Sequence, residues 1–332
     1  MFSVGSWFRH HHTPVLGVDV SPAGIRIMEL AREGKHFRVA HYAHEPVPAG
    51  ALRDGSFSQR ELLTEPLRRA LKRSGTRLKT AAMALPSGAI IKKTLMLPAG
   101  MYDEEMEMQV ETEASQTLPF PLDEISLDFV IVGPSANHEA YVDVMLVAAR
   151  KERIDERLAL ADTVGLRPVV IDVESQVMAA SLALLDPEQQ NRQDQPVVLL
   201  QLCSEGSHCY VIINGLVIFE REIGVSLPRP DQEKSRTSPD SIREAICQEL
   251  ARALQLFSTS TQHASVAHIY IAGSIRTLGT DLAAFVAQRL SIPSSLPHPF
   301  ADMHSTSLDI RLREDAPACL LACGLALRSF SR

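Results

Sequence analysis

Two stretches of the chain show the same order of apolar runs and turn residues. The first, VLGVDVSPAGIRIMEL over residues 15–30, has an apolar run, a polar turn that contains glycine, and an alternating run. This pattern predicts a β-hairpin, and HFRVAHYAHEPVP predicts a third strand after it. The second, VVLLQLCSEGSHCYVIINGLVIFEREI, predicts another hairpin, with Asn214 and Gly215 in a turn. The chain therefore has two halves that begin alike.

Helical and strand patterns alternate through the rest of the first half. Residues 58–74 carry leucines at helical spacing after a capping Ser58, and AAMALPS predicts a buried strand. From Gly88 the pattern predicts a strand, a helix capped by Asp103, two strands and a helix over 151–164. We interpret this β-α-β-β-α unit as an inserted subdomain, after which LRPVVIDVES returns as a strand.

The second half begins after a polar linker. DPEQQNRQDQP over residues 186–196 predicts that linker, and PRPDQEKSRTSPDS over 228–241 predicts a flexible connection. A long helix over about 241–259, the strand HIYIAG and a helix over about 279–290 follow. The last apolar segment, APACLLACGLALRSF, predicts a buried helix.

Composition narrows the function classes. The chain has 332 residues, 45% hydrophobic and 22% charged, as is usual for a globular protein. A net charge of -7 argues against a general nucleic-acid binder. The N-terminal segment lacks the apolar core of a secretory signal, and no apolar run reaches the ~20 residues that span a bilayer. Five cysteines without CxxC spacing favour reduced thiols over disulfides or zinc.

The paired hairpins suggest a superfamily and then a family. Two such turns facing each other across a cleft offer backbone N–H groups to phosphates, as in the actin, hexokinase and Hsp70 superfamily. LGVDVSPAGIRIMEL, DEEMEMQVETEASQTLPFPLDEISLDFVIVG and the segment from VMLVAARKER to VESQVMAA resemble the PilM family of type IV pilus proteins. The resemblance implies an α/β, actin-like duplicated fold of the FtsA/PilM type. It also implies an inserted IC subdomain and a reduced or absent IIB subdomain.

The resemblance also implies domain boundaries. An N-terminal tail would cover 1–12, and subdomain IA would cover 13–88 and 167–185. Subdomain IC would cover 89–166 and the linker 186–196. Subdomain IIA would cover 197–332, with a flexible connection over 225–241 in place of IIB.

A nucleotide site is implied, but it is altered in this chain. The implied ligand is ATP or ADP with Mg²⁺, and the metal would be oriented by Asp19 through water. Asp19 could equally stabilise its own turn. The implied nucleotide-binding residues are Asp19, Ser21, Gly24, Ser204, Gly273 and Ser274. Val20 and Pro22 depart from the first turn of the family, and Gln201 and Cys203 from the second. We therefore expect no working ATPase, and we interpret Glu174 as structural.

The implied function is a cytoplasmic scaffold of the type IV pilus inner-membrane platform. It would bind the cytoplasmic N-terminal peptide of a PilN-like bitopic partner in a groove between 13–88 and 89–166. Other proteins of the pilus platform would also bind, and the chain would reach the membrane through its partners. Whether the chain also forms homo-oligomers is left open by the sequence. Arg150 and Lys151 form a solvated edge or meet an acidic partner.

Two alternatives to the scaffold function remain: an actin-like ATPase, and a GspL-like component of type II secretion. The latter normally continues into a transmembrane helix, which favours PilM for a chain ending at Arg332.

Overall fold

The fold begins with a five-stranded sheet built on the first hairpin. The computed structural model describes residues 14–34, 36–53, 55–57, 59–135, 138–185, 189, 192, 194–228, 238–279, 281–301, 303 and 310–330. The first sheet consists of β1 (Leu16–Ser21), β2 (Gly24–Glu33), β3 (His36–Glu45), β4 (Thr80–Leu85) and β8 (Arg167–Val173). Its strand order is β3-β2-β1-β4-β8; β1, β2 and β3 pair antiparallel, while β4 and β8 run parallel to β1.

The second sheet repeats this arrangement. It consists of β9 (Val197–Leu202), β10 (Ser207–Ile213), β11 (Leu216–Ile223), β12 (His268–Gly273) and β13 (Ser294–Ser295). Its order is β11-β10-β9-β12-β13, with the hairpin strands antiparallel and β12 parallel to β9. Asn214 and Gly215 both have positive φ, as a tight hairpin turn requires. The duplication predicted from the hairpins is therefore present.

The strands of a third sheet lie between β4 and β8 in the sequence. It consists of β5 (Ile90–Pro98), β6 (Ile125–Ser135) and β7 (His138–Arg150) in the order β5-β7-β6, all antiparallel. The helix α2 (Asp103–Thr117) covers one face through Met106, Val110 and Ala114. The predicted cap at Asp103 is wrong by one residue. Tyr102 is the N-cap, and its backbone N–H donates to Glu105 Oε2 at 3.0 Å, so Asp103 begins the helix.

The helices of the first half pack on the outer face of the first sheet. They are α1 (Arg60–Ser74) and α3 (Lys151–Asp162); Ser58, the predicted cap of α1, lies outside the described residues. We grouped α3 with the insertion, but Leu160 and Ala161 belong to the core of the first sheet. The apolar side chains of α3 thus have their partners in the first half. The core of the third sheet is built by residues between 91 and 148.

Two helices lie between the two large sheets. They are α4 (Glu174–Leu185) and α8 (Leu320–Leu327), separated in the chain by α5 (Pro239–Ser260), α6 (Leu282–Leu290) and the short α7 (Ile310–Glu314). One apolar cluster joins both sheets to α4 and α8, whereas α5 and α6 cover the other face of the second sheet.

The C-terminal helix corrects the predicted extent of subdomain IIA. We assigned all of 197–332 to the second half, but α8 packs on β1 and β2. Gly17 permits this approach, because a Cβ there would lie 2.1 Å from the carbonyl oxygen of Ala322. The last helix therefore closes the first half.

Several predicted connections lie largely outside the described residues. The tail over 1–12 does so entirely, as do much of the linker over 186–196 and residues 229–237 of the connection over 225–241. β11 ends at Ile223 and α5 begins at Pro239, so residues 224–238 alone separate them. In the described part of the chain, no helix has both the length and the hydropathy that a membrane span requires.

Candidate functional site

Asp19 and Arg26 form a buried ion pair at the cleft between the two halves. They face each other across the β1–β2 hairpin, and Arg26 Nη1 lies 3.4 Å from Asp19 Oδ2. Their side chains are 5% and 3% exposed. Burial raises the pKa of Asp19 above its usual value, and the charge of Arg26 counteracts that rise. The carboxylate predicted to orient a metal is thus engaged by a guanidinium.

Arg26 also reaches the second half. Its Nη2 donates a hydrogen bond of 2.9 Å to Ser274 Oγ, just after the end of β12. Gly273 before it has φ +123°, and a Cβ there would lie 2.2 Å from the carbonyl oxygen of Leu202. The structure therefore brings together Asp19, Gly273 and Ser274 from the predicted set, with Arg26 between them.

Of the other predicted nucleotide residues, Ser21 and Gly24 shape the first turn, whereas Ser204 makes no such contact. Ser21 Oγ donates to the carbonyl oxygen of Gly24 at 3.1 Å and closes the first turn. Gly24 has φ +133°, and a Cβ there would collide with His44. Ser204 Oγ is buried and makes no hydrogen bond to a described residue.

The second turn is held by contacts within its own half. The backbone N–H of Cys203 donates to Ser207 Oγ at 3.2 Å, and its carbonyl oxygen accepts from the N–H of Leu227 at 2.8 Å. Gln201 Oε1 accepts from the hydroxyl of Tyr210 at 3.1 Å. Burial raises the pKa of the Cys203 thiol to about 12, so the thiol stays protonated.

Glu174 begins α4 and is half-buried close to the cleft. Burial, with a smaller contribution from the charge of Asp19, raises its pKa to about 7, while Arg157 acts in the opposite direction. Because neutral and ionised forms coexist near pH 7, the charge of this region depends on pH.

A magnesium nucleotide would need free carboxylate and backbone N–H groups here. Asp19 Oδ2 is paired with Arg26 while its Oδ1 has no hydrogen-bond partner among the described residues, the N–H of Cys203 donates to Ser207, and Pro22 has no N–H to offer. Among the described residues, no three His, Cys, Asp or Glu side chains group as metal ligands. Two of the groups that would hold a magnesium nucleotide are therefore already engaged within the chain.

A second candidate surface is a groove between the first half and the inserted sheet. It is an open groove of about 620 Å³ that runs beside the start of α1, the end of β7 and one side of α3. Its lining carries both signs of charge, and the residues are Arg60, Glu124, Arg150, Lys151, Glu152, Asp155, Glu156 and Ala159. We name this surface the charged groove.

One wall of the charged groove is held by the half-buried Glu156 and the buried Arg157. Glu156 accepts from Ser56 Oγ at 2.6 Å and from the backbone N–H of Phe57 at 3.2 Å. Arg157 donates to the carbonyl oxygen of Gly55 at 2.7 Å and lies 4.2 Å above the ring of Phe57. These contacts hold residues 55–57 against α3.

The other groove residues divide into those with partners in the described part of the chain and those without. The guanidinium of Arg150 lies 5.5 Å from the ring centre of Phe120 and pairs with Glu152 at 3.1 Å. Lys151 Nζ donates to the carbonyl oxygen of Asp123 at 2.6 Å. The side chains of Arg60 and Asp155 form no hydrogen bond or ion pair with described residues, so they are open to a ligand.

Neither Arg26 nor most of the charged groove is among the predicted site residues. Arg26 had a usable signal, since a two-residue turn after Ser21 places it opposite Asp19 by counting. Arg150 and Lys151 were noted as an edge or an acidic contact, and they line the groove. Arg60 and Asp155 lie 95 positions apart in the chain, and only the packing of α3 on the first half brings them together.

Comparison with known proteins places this geometry in a family. The family model described as type IV pilus assembly protein PilM matches residues 17–226 and 240–330. A solved PilM-PilN type IV pilus biogenesis complex is similar over 96% of this chain and 99% of that chain, with 25% identity and a TM-score of 0.79.

Two further solved structures are similar to this chain at lower sequence identity and lower TM-score. The ethanolamine utilization protein EutJ of Carboxydothermus hydrogenoformans is 13% identical over 95% of this chain and 89% of its own, with a TM-score of 0.51. The cytoplasmic domain of EpsL, from the type II secretion system of Vibrio cholerae, is 10% identical over 96% of each chain, with a TM-score of 0.48. The predicted α/β actin-like fold is confirmed, and the chain belongs to the PilM family of type IV pilus assembly proteins.

Proposed function

We propose that this chain is a scaffold of type IV pilus assembly that binds the N-terminal peptide of a PilN-like partner in the charged groove. The observation that carries the proposal is a groove at the junction of the first half and the inserted sheet, in a chain whose relative was solved as a PilM-PilN complex. Groove recognition of a short peptide needs pockets and polar groups that the protein leaves open.

The groove suits an extended peptide that carries both signs of charge. Arg60 offers an open cation and Asp155 an open carboxylate on the same surface. β6 is an edge strand of the inserted sheet and begins beside Glu124, so its unpaired backbone groups are near the groove. A peptide lying there would gain main-chain hydrogen bonds from the edge and specificity from the charges.

The proposal also includes the absence of ATP turnover and the location of the chain in the cell. We infer that the chain turns over no ATP, because Asp19 is paired with Arg26 and the N–H of Cys203 with Ser207. We also infer that the partner brings the chain to the inner membrane from the cytoplasm, with other platform proteins joining there.

The test is titration of a labelled peptide, corresponding to the cytoplasmic N-terminus of the neighbouring PilN-like protein, into the wild-type chain and three variants. Arg60→Glu and Asp155→Lys should each weaken binding about tenfold, since each reverses an open groove charge. Arg68→Glu is the matched control, because Arg68 lies exposed on α1 outside the groove lining. Its affinity should stay within about twofold of wild type. Equal affinity of all four proteins would exclude the charged groove, and absence of wild-type binding would exclude the peptide.

A further inference from the structure

Arg26 is a buried cation with a partner in each half of the molecule. Its strand β2 belongs to the first sheet, and Asp19 on β1 is its ionic partner at 3.4 Å. Ser274, which accepts its Nη2 hydrogen bond at 2.9 Å, follows β12 of the second sheet. Because the Arg26 side chain is 3% exposed, its ion pair with Asp19 is shielded from bulk water, and its hydrogen bond to the half-buried Ser274 is shielded in part.

The surroundings keep Arg26 charged. Burial acts to lower its pKa, but the field of Asp19, with a further contribution from Asp315, leaves the pKa above its usual value. Asp315 comes from the segment before α8 and also pairs with Arg276 at 3.3 Å. The guanidinium therefore lies among groups from the first hairpin, the end of β12 and the C-terminal segment.

The backbone conformation at the end of β12 fixes the position of Ser274. Gly273 adopts φ +123° with no room for a Cβ beside the carbonyl oxygen of Leu202. β12 is registered residue by residue on β9, from His268 opposite Val197 to Gly273 opposite Leu202. Ser274 is thus presented by a sheet end rather than by a long loop, and its distance from Arg26 reports the separation of the two sheets.

We propose that Asp19, Arg26 and Ser274 form an internal clasp that closes the cleft without a nucleotide. The guanidinium lies between the carboxylate predicted to orient a metal and a serine predicted to contact the nucleotide. It supplies from within the chain the link between the halves that a bound ligand would otherwise provide. Mg-ATP would have to break this buried ion pair to enter, because Asp19 would have to turn to the metal and Arg26 to the phosphates. The clasp does not depend on any partner.

The first test is hydrogen exchange measured by mass spectrometry on the full chain. Ser274→Ala removes one hydroxyl, and Arg26→Met keeps the length of the side chain without its charge. Peptides covering the end of β12 and the first turn should exchange about tenfold faster in both variants, because the cleft opens more often. Arg68→Ala, which breaks an exposed pair on α1, is the control and should match wild type.

The second test measures the melting temperature with and without millimolar Mg-ATP or Mg-ADP. The clasp predicts no shift for the wild-type chain, since a ligand that does not bind the folded state does not stabilise it. A wild-type melting temperature that rises with either nucleotide overturns the clasp. So does an exchange rate within about twofold of wild type in both Ser274→Ala and Arg26→Met, whatever the stability of the latter.

Discussion

Nε of Arg328 donates a hydrogen bond of 2.6 Å to Asp172 Oδ2, joining two residues 156 positions apart. Asp172 lies on β8 of the first sheet, and Arg328 directly follows α8. Ser329 adds a second link, because its Oγ accepts from the backbone N–H of Val15 at 2.8 Å and donates to the Val15 carbonyl at 3.2 Å. The end of the chain is therefore fixed to the first half by polar contacts as well as by the packing of α8.

Replacing Arg328 by alanine should lower the free energy of unfolding by about 1–3 kcal/mol, because the Asp172 carboxylate would lose its charge partner. The side chains of Asp172 and Arg328 are 9% and 25% exposed, so solvent screens the pair only in part. Urea denaturation monitored by circular dichroism measures the change. Arg68→Ala serves as control, with a shift within about 0.5 kcal/mol. An Arg328→Ala effect as small as the control would show that the packing of α8 suffices.

The approach of α8 to β1 gives a steric prediction. Gly17→Ala should destabilise the chain by roughly 1–3 kcal/mol or more, because its Cβ would lie 2.1 Å from the Ala322 carbonyl and 2.7 Å from the Ala326 nitrogen. Gly88→Ala is the matched control, since a Cβ there meets nothing within 4 Å. Thermal unfolding of the two variants compares them directly. Equal melting temperatures would mean that α8 shifts freely on the sheet.

Glu174 gives a prediction about pH. Its pKa is raised from 4.5 to about 7, chiefly by burial and then by Asp19. Between these values the folded state holds a proton that the unfolded state has released, so this residue makes stability fall as pH rises from about 4.5 to 7. Glu174→Gln removes that loss. The variant should be more stable than wild type at pH 8, by about 1–3 kcal/mol, and show a smaller gain at pH 5.

Denaturant titrations of wild type and Glu174→Gln at both pH values measure this difference. Glu152→Gln is a suitable control, because it makes the same substitution at a side chain that is 63% exposed. A Glu174→Gln effect that is the same at pH 5 and pH 8 would contradict the assigned titration.

The sequence predicts the local elements well and their long-range packing poorly. Both hairpins follow from apolar alternation around turn residues such as Asn214 and Gly215, which is information within one segment. The place of α8 depends instead on Gly17 and Ala322, which are some 300 positions apart. A uniformly apolar helix such as α8 has no polar face to show which sheet it will cover. Its assignment to the second half was therefore wrong.

The candidate site likewise combines a local contact, which the sequence predicts, with long-range contacts, which it does not. Arg26 lies opposite Asp19 by strand register, so their pairing could have been counted from the turn. The contact of Arg26 with Ser274 spans 248 positions and depends on how the two sheets come together. The charged groove combines residues that are far apart in the sequence, because it forms where α3 packs against α1 beside the end of β7.

The inserted sheet has its own link to the second half, and this link gives the last prediction. Lys92 on β5 donates from Nζ to Glu220 Oε2 on β11 at 3.1 Å and to Ser175 Oγ on α4 at 3.2 Å. The side chains of Lys92 and Glu220 are 26% and 28% exposed, so the pair is partly shielded from solvent. A double-mutant cycle of Lys92→Ala and Glu220→Ala should give a coupling of about 0.5–1 kcal/mol that shrinks at high salt. The same cycle on Arg38 and Glu33, an exposed pair within the first sheet, should give less. Coupling no larger than that control, or unchanged by salt, would show that the inserted sheet is positioned by packing rather than by this ion pair.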